Sequence, residues 1–234
     1  MIWNVGFITI YPDIISTYFR HGVLSTAVNK NIVDLTLLNL RDFAADKHGS
    51  IDDSPYGGGD GMVMRPDCLA NACEHLFQKW GQRGNVVYTS PAGNHWHQER
   101  AEQLSASLKP TIFICGRFSG VDQRFIDTYV THEISFGDFV LAGGELPCLM
   151  VAESILRLIP GVLGNLQSFA EDSFSSKLHG LLEYPQYTRP EVWNHLSIPP
   201  ILLTGDHKKI HDWRMSQSKI KTELTRPDLF AVNP

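Results

Sequence analysis

The chain has 234 residues, 43% of them hydrophobic, and a formal net charge of −5. That length fits one large domain, or one domain with a small companion, and is enough to bury a core without a metal or disulfide staple. The acidic balance argues against wholesale nonspecific nucleic-acid binding. Cys68, Cys73, Cys115 and Cys148 form no CxxC pair and read as buried reduced thiols of a cytoplasmic protein. The N-terminus, Met1-Ile2-Trp3-Asn4-Val5-Gly6, lacks a basic leader, and its apolar run is too short to span a bilayer, so a soluble, unexported protein is expected.

In chain order, Val5 to Tyr11 predicts a strand, and Pro12 suits the first turn of a helix that follows it. Val33 to Leu40 alternates like a second strand, and Asp67 to Lys79 has a helical period. Val86 to Thr89 and Thr111 to Cys115 are short β-branched runs of the kind found in buried parallel strands, with a helix over Gln98 to Leu108 between them. Glu145 to Leu158 places Leu149, Ala152, Ile155, Leu156 and Ile159 on one helical face. This βαβα order predicts an α/β domain with a mainly parallel sheet. After Pro160 the pattern turns loop-like to about Ser176, and a further helix is expected around His207 to Leu224. The division is therefore a main domain over 1–162, a linker over 163–175 and a small, mainly helical domain over 176–234.

Gly57-Gly58-Gly59-Asp60-Gly61 has neither dinucleotide-fingerprint nor P-loop spacing and follows a polar stretch, so it reads as a flap or a surface loop. His207 and His211 share a helix face without the accompanying Glu of a zinc protease, and no metal ligand set is predicted. Three other loops carry more. Tyr88-Thr89-Ser90-Pro91-Ala92-Gly93, Gly116-Arg117-Phe118-Ser119-Gly120 and Ser135 to Pro147 each follow a strand. In open α/β sheets that is where ligands bind. The third loop holds Gly137, Gly143 and Gly144, which let backbone approach a ligand, and it ends where a helix begins. Arg157 and the pair Glu171-Asp172 add a cation and a carboxylate on a Gly/Pro-punctuated stretch; Asp172 reads equally as a base or as a helix cap. From Gly205 to Arg226 six basic residues (Lys208, Lys209, Arg214, Lys219, Lys221, Arg226) stand against Asp206, Asp212 and Glu223, which suits either a solvated helix face or local phosphate contact.

The ordered blocks Asp53-Ser54-Pro55-Tyr56-Gly57-Gly58-Gly59, Cys115-Gly116-Arg117-Phe118, Gly137-Asp138-Phe139-Val140-Leu141, Gly143-Gly144-Glu145-Leu146-Pro147, Ile159-Pro160-Gly161-Val162-Leu163-Gly164, Glu171-Asp172-Ser173-Phe174 and Tyr187-Thr188-Arg189-Pro190-Glu191 resemble the bacterial tRNA (guanine-N1)-methyltransferases over nearly the whole chain. The resemblance implies a SPOUT methyltransferase: an α/β fold with a trefoil-knotted, mostly parallel sheet, working as a homodimer. It also implies methyl transfer from S-adenosylmethionine to N1 of the guanosine immediately 3′ of the tRNA anticodon. The family pattern places the cofactor against Tyr88, Ser90, Pro91, Gly116, Phe136, Gly137, Asp138, Phe139, Val140, Leu141, Gly143 and Gly144. It makes Asp172 the general base and Arg157 the group stabilising charge on the purine, and it assigns Lys208, Lys209, Arg214 and Lys219 to tRNA. Family active sites lie between the knotted domain of one subunit and the small domain of the other. Two positions depart from the pattern: Ser119 and Gln123 stand where acidic residues are common. Because the first of these is tied to divalent-metal dependence in the family, magnesium stays an open second requirement. A noncatalytic RNA-binding SPOUT relative, and a SPOUT enzyme acting on another RNA, are the competing readings. Without the resemblance, the general avoidance of knots would point to an ordinary doubly wound sheet.

Overall fold

The computed structural model describes residues 2–163 and 171–231. They fall in two compact units, 1–164 and 165–234.

The first unit opens with β1 (Trp3–Thr9), α1 (Pro12–Tyr18), α2 (Gly22–Asn29) and β2 (Val33–Asn39). A short hairpin, β3 (Asp52–Asp53) and β4 (Val63–Met64), precedes α3 (Pro66–Trp80). Then come β5 (Asn85–His95), α4 (Gln98–Ser107), β6 (Thr111–Ile114), α5 (Gln123–Tyr129), β7 (His132–Ser135) and α6 (Glu145–Leu156). Five strands form one sheet in the order β2-β1-β6-β5-β7. Every pairing in it is parallel.

The near-continuous apolar character of the strands follows from burial on both faces. In β1, Trp3, Val5 and Phe7 point into one core, while Ile8 points into the other. The first core joins them to Val87, Phe113 and the apolar stripes of α1, α2, α4 and α6. Phe7 stacks on Phe113 across neighbouring strands, ring centroids 4.8 Å apart. The second core packs Val86, Tyr88, Ile112 and Ile114 against α3 and α5. Each such large side chain withdrawn from water contributes about 1.5–3 kcal/mol. In α3 the buried residues Leu69, Ala72, Cys73 and Leu76 fall at helical spacing, and the helix ends at Gly81, whose φ of +66° is the left-handed turn expected there. Helix α6 has the expected face, with Leu149, Ala152, Ile155 and Leu156 all buried, and Ile159 is buried just past its end.

Two details differ from the sequence reading. The hairpin β3–β4 brackets the glycine run, where only a polar stretch was expected; two residues per strand are too few for alternation to show. Strand β5 also continues past Thr89 to His95, with a register break: both Thr89 and Asn94 pair with Ile134, so residues 90–93 bulge out of the ladder. A Cβ on Gly93 would lie 2.4 Å from the Ile134 backbone nitrogen, so glycine alone fits the bulge as built.

From β7 at the sheet edge the chain returns over the end of β6, where the Gly144 N–H donates to the Gly116 carbonyl at 2.8 Å, before α6 covers the first core.

In the second unit, β8 (Val192–Trp193) and β9 (Leu196–Ser197) form a small antiparallel hairpin ahead of α7 (His207–Thr225) and α8 (Asp228–Ala231). The expected linker over 163–175 lies partly outside the described residues, since 164–170 are not among them. Residues 171–175 are bonded into the second unit: Phe174 N–H donates to Leu181 O at 2.8 Å, and Ser173 Oγ accepts from Glu183 N–H at 2.9 Å. Ser175, rather than Asp172, caps the short 3-10 helix Ser176–Leu178. Asp206 caps α7 by accepting from Lys209 N–H.

Candidate active site

The bulged part of β5 and the loops after β6 and β7 meet over the sheet and line a cavity of about 560 Å³. Its walls include Tyr88, Ser90, Pro91, Gly116, Phe136, Gly137, Phe139, Val140, Leu141, Gly143 and Gly144, eleven of the twelve positions assigned to cofactor by resemblance. Asp138, the twelfth, is exposed and lies outside that wall.

The glycines set the width of this space. A Cβ on Gly116 would sit 2.8 Å from the Tyr88 ring, and one on Gly143 would sit 2.3 Å from the Arg117 guanidinium. Gly137 has φ of +133°, a conformation that side chains avoid. Tyr88 is buried, and burial, then the nearby Glu133 carboxylate, hold its phenol above the ordinary value, so it stays neutral. Ser90 donates to the Glu133 carboxylate, which fixes its rotamer beside the cavity.

One polar cluster was not anticipated from sequence. Glu145, only 2% exposed, opens α6 and pairs with Arg117 at 2.7 Å while accepting from Thr9 Oγ1 at 2.7 Å. Arg117 also donates to Ala142 O at 3.2 Å and lies over the Tyr11 ring at 4.7 Å. The cluster thus ties the ends of β1 and β6 to the glycine loop. Its only sequence signal is an acidic residue starting an otherwise apolar helix; its partners are 136 and 28 residues away.

The wall also includes Thr89, Phe118, Ser119, Leu146 and Met150, none of which was singled out as cofactor-contacting. Ser119 meets the glycine flap, its N–H donating to Met62 O at 2.8 Å, and a Cβ on Gly61 would lie 2.2 Å from its Oγ.

Arg157 is half-buried at the end of α6 in the first unit, and Asp172 is half-buried in the second. On α7, Lys208, Lys209 and Lys219 are exposed, with Lys209 paired to Asp206 at 3.1 Å. Arg214 is half-buried, its guanidinium 4.7 Å over the Tyr184 ring. Among the described residues, no cluster of three or more His, Cys, Asp or Glu could hold a metal, and no helix is long and apolar enough to cross a membrane.

In an α/β protein, a mostly apolar, glycine-walled cavity at the carboxyl ends of parallel strands is where a small organic ligand is usually held. The profile of the family described as tRNA (Guanine-1)-methyltransferase TrmD matches residues 3–232. The chain is 44% identical over 230 residues to the tRNA (guanine-N(1)-)-methyltransferase of Wolbachia pipientis subsp. Culex pipiens, covering 98% of each chain. It is 45% identical over 229 residues to that of Pelagibacter ubique (98% of this chain, 97% of the other). With that of Bacillus subtilis the identity is 43% over 231 residues (99% and 93%). The chain belongs to the TrmD family of methyltransferases, and its parallel sheet with flanking helices is the SPOUT fold of that family.

Proposed function

We propose that this chain methylates N1 of the guanosine immediately 3′ of the anticodon in tRNA, using S-adenosylmethionine and acting in the cytoplasm as a homodimer. The glycine-walled cavity over β5, β6 and β7 carries this reading together with family membership. At about 560 Å³ it lies within the usual range for small organic ligands, about 300–1,000 Å³. Its rings and backbone suit a purine, and no protein metal set is needed to hold one. When bound there, the cofactor supplies a methyl group already activated on a sulfonium centre.

The protein's part is then orientation and proton removal. Neutral guanine carries a proton on N1 and is a poor nucleophile until it leaves. Asp172 accepts that proton, and Arg157 offset the negative charge gathering on the purine O6. The free Watson–Crick edge this requires belongs to an unstacked loop base, the usual target of sequence-specific RNA recognition. The exposed lysines of α7 are available to the RNA backbone. The homodimer is supported by exposed apolar residues on α1 (Ile14, Tyr18) and α6 (Leu146, Met150), two helices that touch and are tied by a Tyr18–Glu153 hydrogen bond.

The deciding experiment is single-turnover methyl transfer from labelled S-adenosylmethionine to unmodified tRNA, with and without magnesium, beside a tRNA whose guanosine after the anticodon is adenosine. Transfer to the first RNA alone, with 1-methylguanosine as product, is expected. Cofactor binding without transfer to either RNA would leave a noncatalytic relative, and a different methylated nucleoside would overturn the substrate. Asp172→Asn should bind cofactor normally and lose about 10²–10⁴-fold in rate; wild-type turnover would remove it as the base.

A further inference from the structure

Of the adjoining carboxylates Glu171 and Asp172, proton removal uses only the second. The first has partners of its own. Both oxygens of the Glu171 carboxylate are engaged: Oε1 accepts from the Lys177 ammonium, and Oε2 accepts from the Tyr184 hydroxyl at 2.8 Å. The Tyr184 ring is buried, with the Arg214 guanidinium over it at 4.7 Å, so the hydroxyl that meets Glu171 comes from a fixed ring. These bonds, Lys177 first and Tyr184 second, hold the Glu171 carboxyl below the ordinary carboxylate range and make it a poor proton acceptor.

Stability is a weak reason for such a network. The Lys177 and Glu171 side chains are 52% and 36% exposed, and ion pairs that open to water contribute little. What the bonds do fix is position. On the C-terminal side of Asp172 the chain is pinned residue by residue. Ser173 Oγ accepts from Glu183 N–H at 2.9 Å, Phe174 N–H donates to Leu181 O at 2.8 Å, and Ser175 N–H donates to Asp172 O at 3.2 Å. On the N-terminal side the adjoining anchor is the Glu171 side chain. A base whose backbone is held from one side only can pivot, and a misplacement of about 1 Å can cost about 10²-fold in rate.

We propose that Glu171, gripped by Tyr184 and Lys177, is a positioning residue that fixes the backbone of Asp172 for proton removal. The role rests on the reading of Asp172 as the base. It divides the two neighbouring carboxylates into one that reacts and one that holds.

The test is single-turnover methyl transfer by the full chain to an unmodified tRNA transcript, at saturating S-adenosylmethionine and RNA, with Glu171→Ala, Glu171→Gln and Tyr184→Phe. Glu171→Ala should lower the saturated rate about 10–100-fold. Tyr184→Phe keeps the ring beneath Arg214 and loses one hydrogen bond, so it should lower the rate about 2–10-fold. Glu171→Gln keeps a carbonyl oxygen for the Tyr184 hydroxyl but cannot take a proton, and it should stay within about threefold of wild type. Affinities for S-adenosylmethionine and tRNA should not change in any of the three. Combining Glu171→Ala with Tyr184→Phe should be no slower than Glu171→Ala alone. Amide exchange over residues 171–175 should quicken in Glu171→Ala. An undiminished rate in Glu171→Ala would overturn the role, as would a rate loss matched by an equal loss of tRNA affinity. A Glu171→Gln rate as low as that of Glu171→Ala would overturn it too, since charge or proton transfer, and not the bond to Tyr184, would then be at work. If Glu171→Ala does not fold, Tyr184→Phe decides, and a wild-type rate there removes the role. Wild-type protein that makes no 1-methylguanosine would remove the reaction itself, whereas wild-type transfer beside unaffected Glu171 variants removes only the role given to Glu171.

Discussion

Gly144→Ala isolates the crossing at the end of β6. The residue has φ of −85°, which alanine adopts freely, so backbone conformation contributes nothing against the change. In open space the substitution would stabilise by about 0.4–1 kcal/mol through the unfolded chain. Here the new Cβ would stand 2.6 Å from the Gly116 nitrogen and 3.0 Å from the Cys115 carbonyl carbon and Cα, all backbone atoms of the adjoining strand end. Carbon contacts are comfortable at about 3.5–4.0 Å, so the two segments must part. Overpacking costs about 1–3 kcal/mol. The stretched Gly144–Gly116 hydrogen bond, 2.8 Å in the native chain, adds about 0.5–1.5 kcal/mol. The net is about 2.5 kcal/mol of destabilisation, or about 5–10 °C in Tm for a domain of this size. Because Gly116 and Gly144 both face the cavity, S-adenosylmethionine affinity should fall at least about tenfold, since a 1.4 kcal/mol misfit suffices. Thermal melting by circular dichroism and calorimetric titration of the cofactor read the two effects. A variant that melts at or above wild type with undiminished affinity would refute the packing argument.

Glu145→Ala leaves the Arg117 guanidinium without its carboxylate and should cost about 3 kcal/mol, the low end for a broken buried pair because Arg117 is 21% exposed; chemical denaturation measures it. Glu171 is held below the ordinary carboxylate range by its hydrogen bonds to Lys177 and then Tyr184. Its contribution is therefore present above the unfolded value, about 4.3, and is lost as pH falls through the lower folded value. Glu171→Gln should flatten that acid limb of the stability curve, and an unchanged limb would remove Glu171 as its cause. All four cysteines are buried, and burial lifts the thiols of Cys73, Cys115 and Cys68 above their ordinary value. A disulfide reagent should leave the native protein unlabelled and count four thiols after denaturation.

What could be read in the sequence was whatever depends on near neighbours. The apolar faces of α3 and α6 and the short runs of β1 and β6 declared themselves because burial imposes a period on adjacent residues. The site was legible through glycines at strand ends, and ordered motifs carried it further than periodicity could. The Thr9–Glu145–Arg117 cluster was not legible, since its members come together only after the strands are ordered. The bulge at residues 90–93 was hidden for a related reason: Gly93 is required by the Ile134 backbone of another strand, and nothing beside it in the chain says so.

The sheet order also dictates when the protein becomes safe to release from synthesis. Strand β1 has β2 soon after it, but its other flank waits for β6, with Val5 opposite Thr111. At about 5–20 residues per second, that wait is roughly 5–20 s. Trp3, Val5 and Phe7 meanwhile lack the cover of α6, which follows later still. A ribosome stalled before residue 111 thus displays an unpaired strand edge and half a core, so the hazard to this chain is concentrated in its nascent form rather than its finished one.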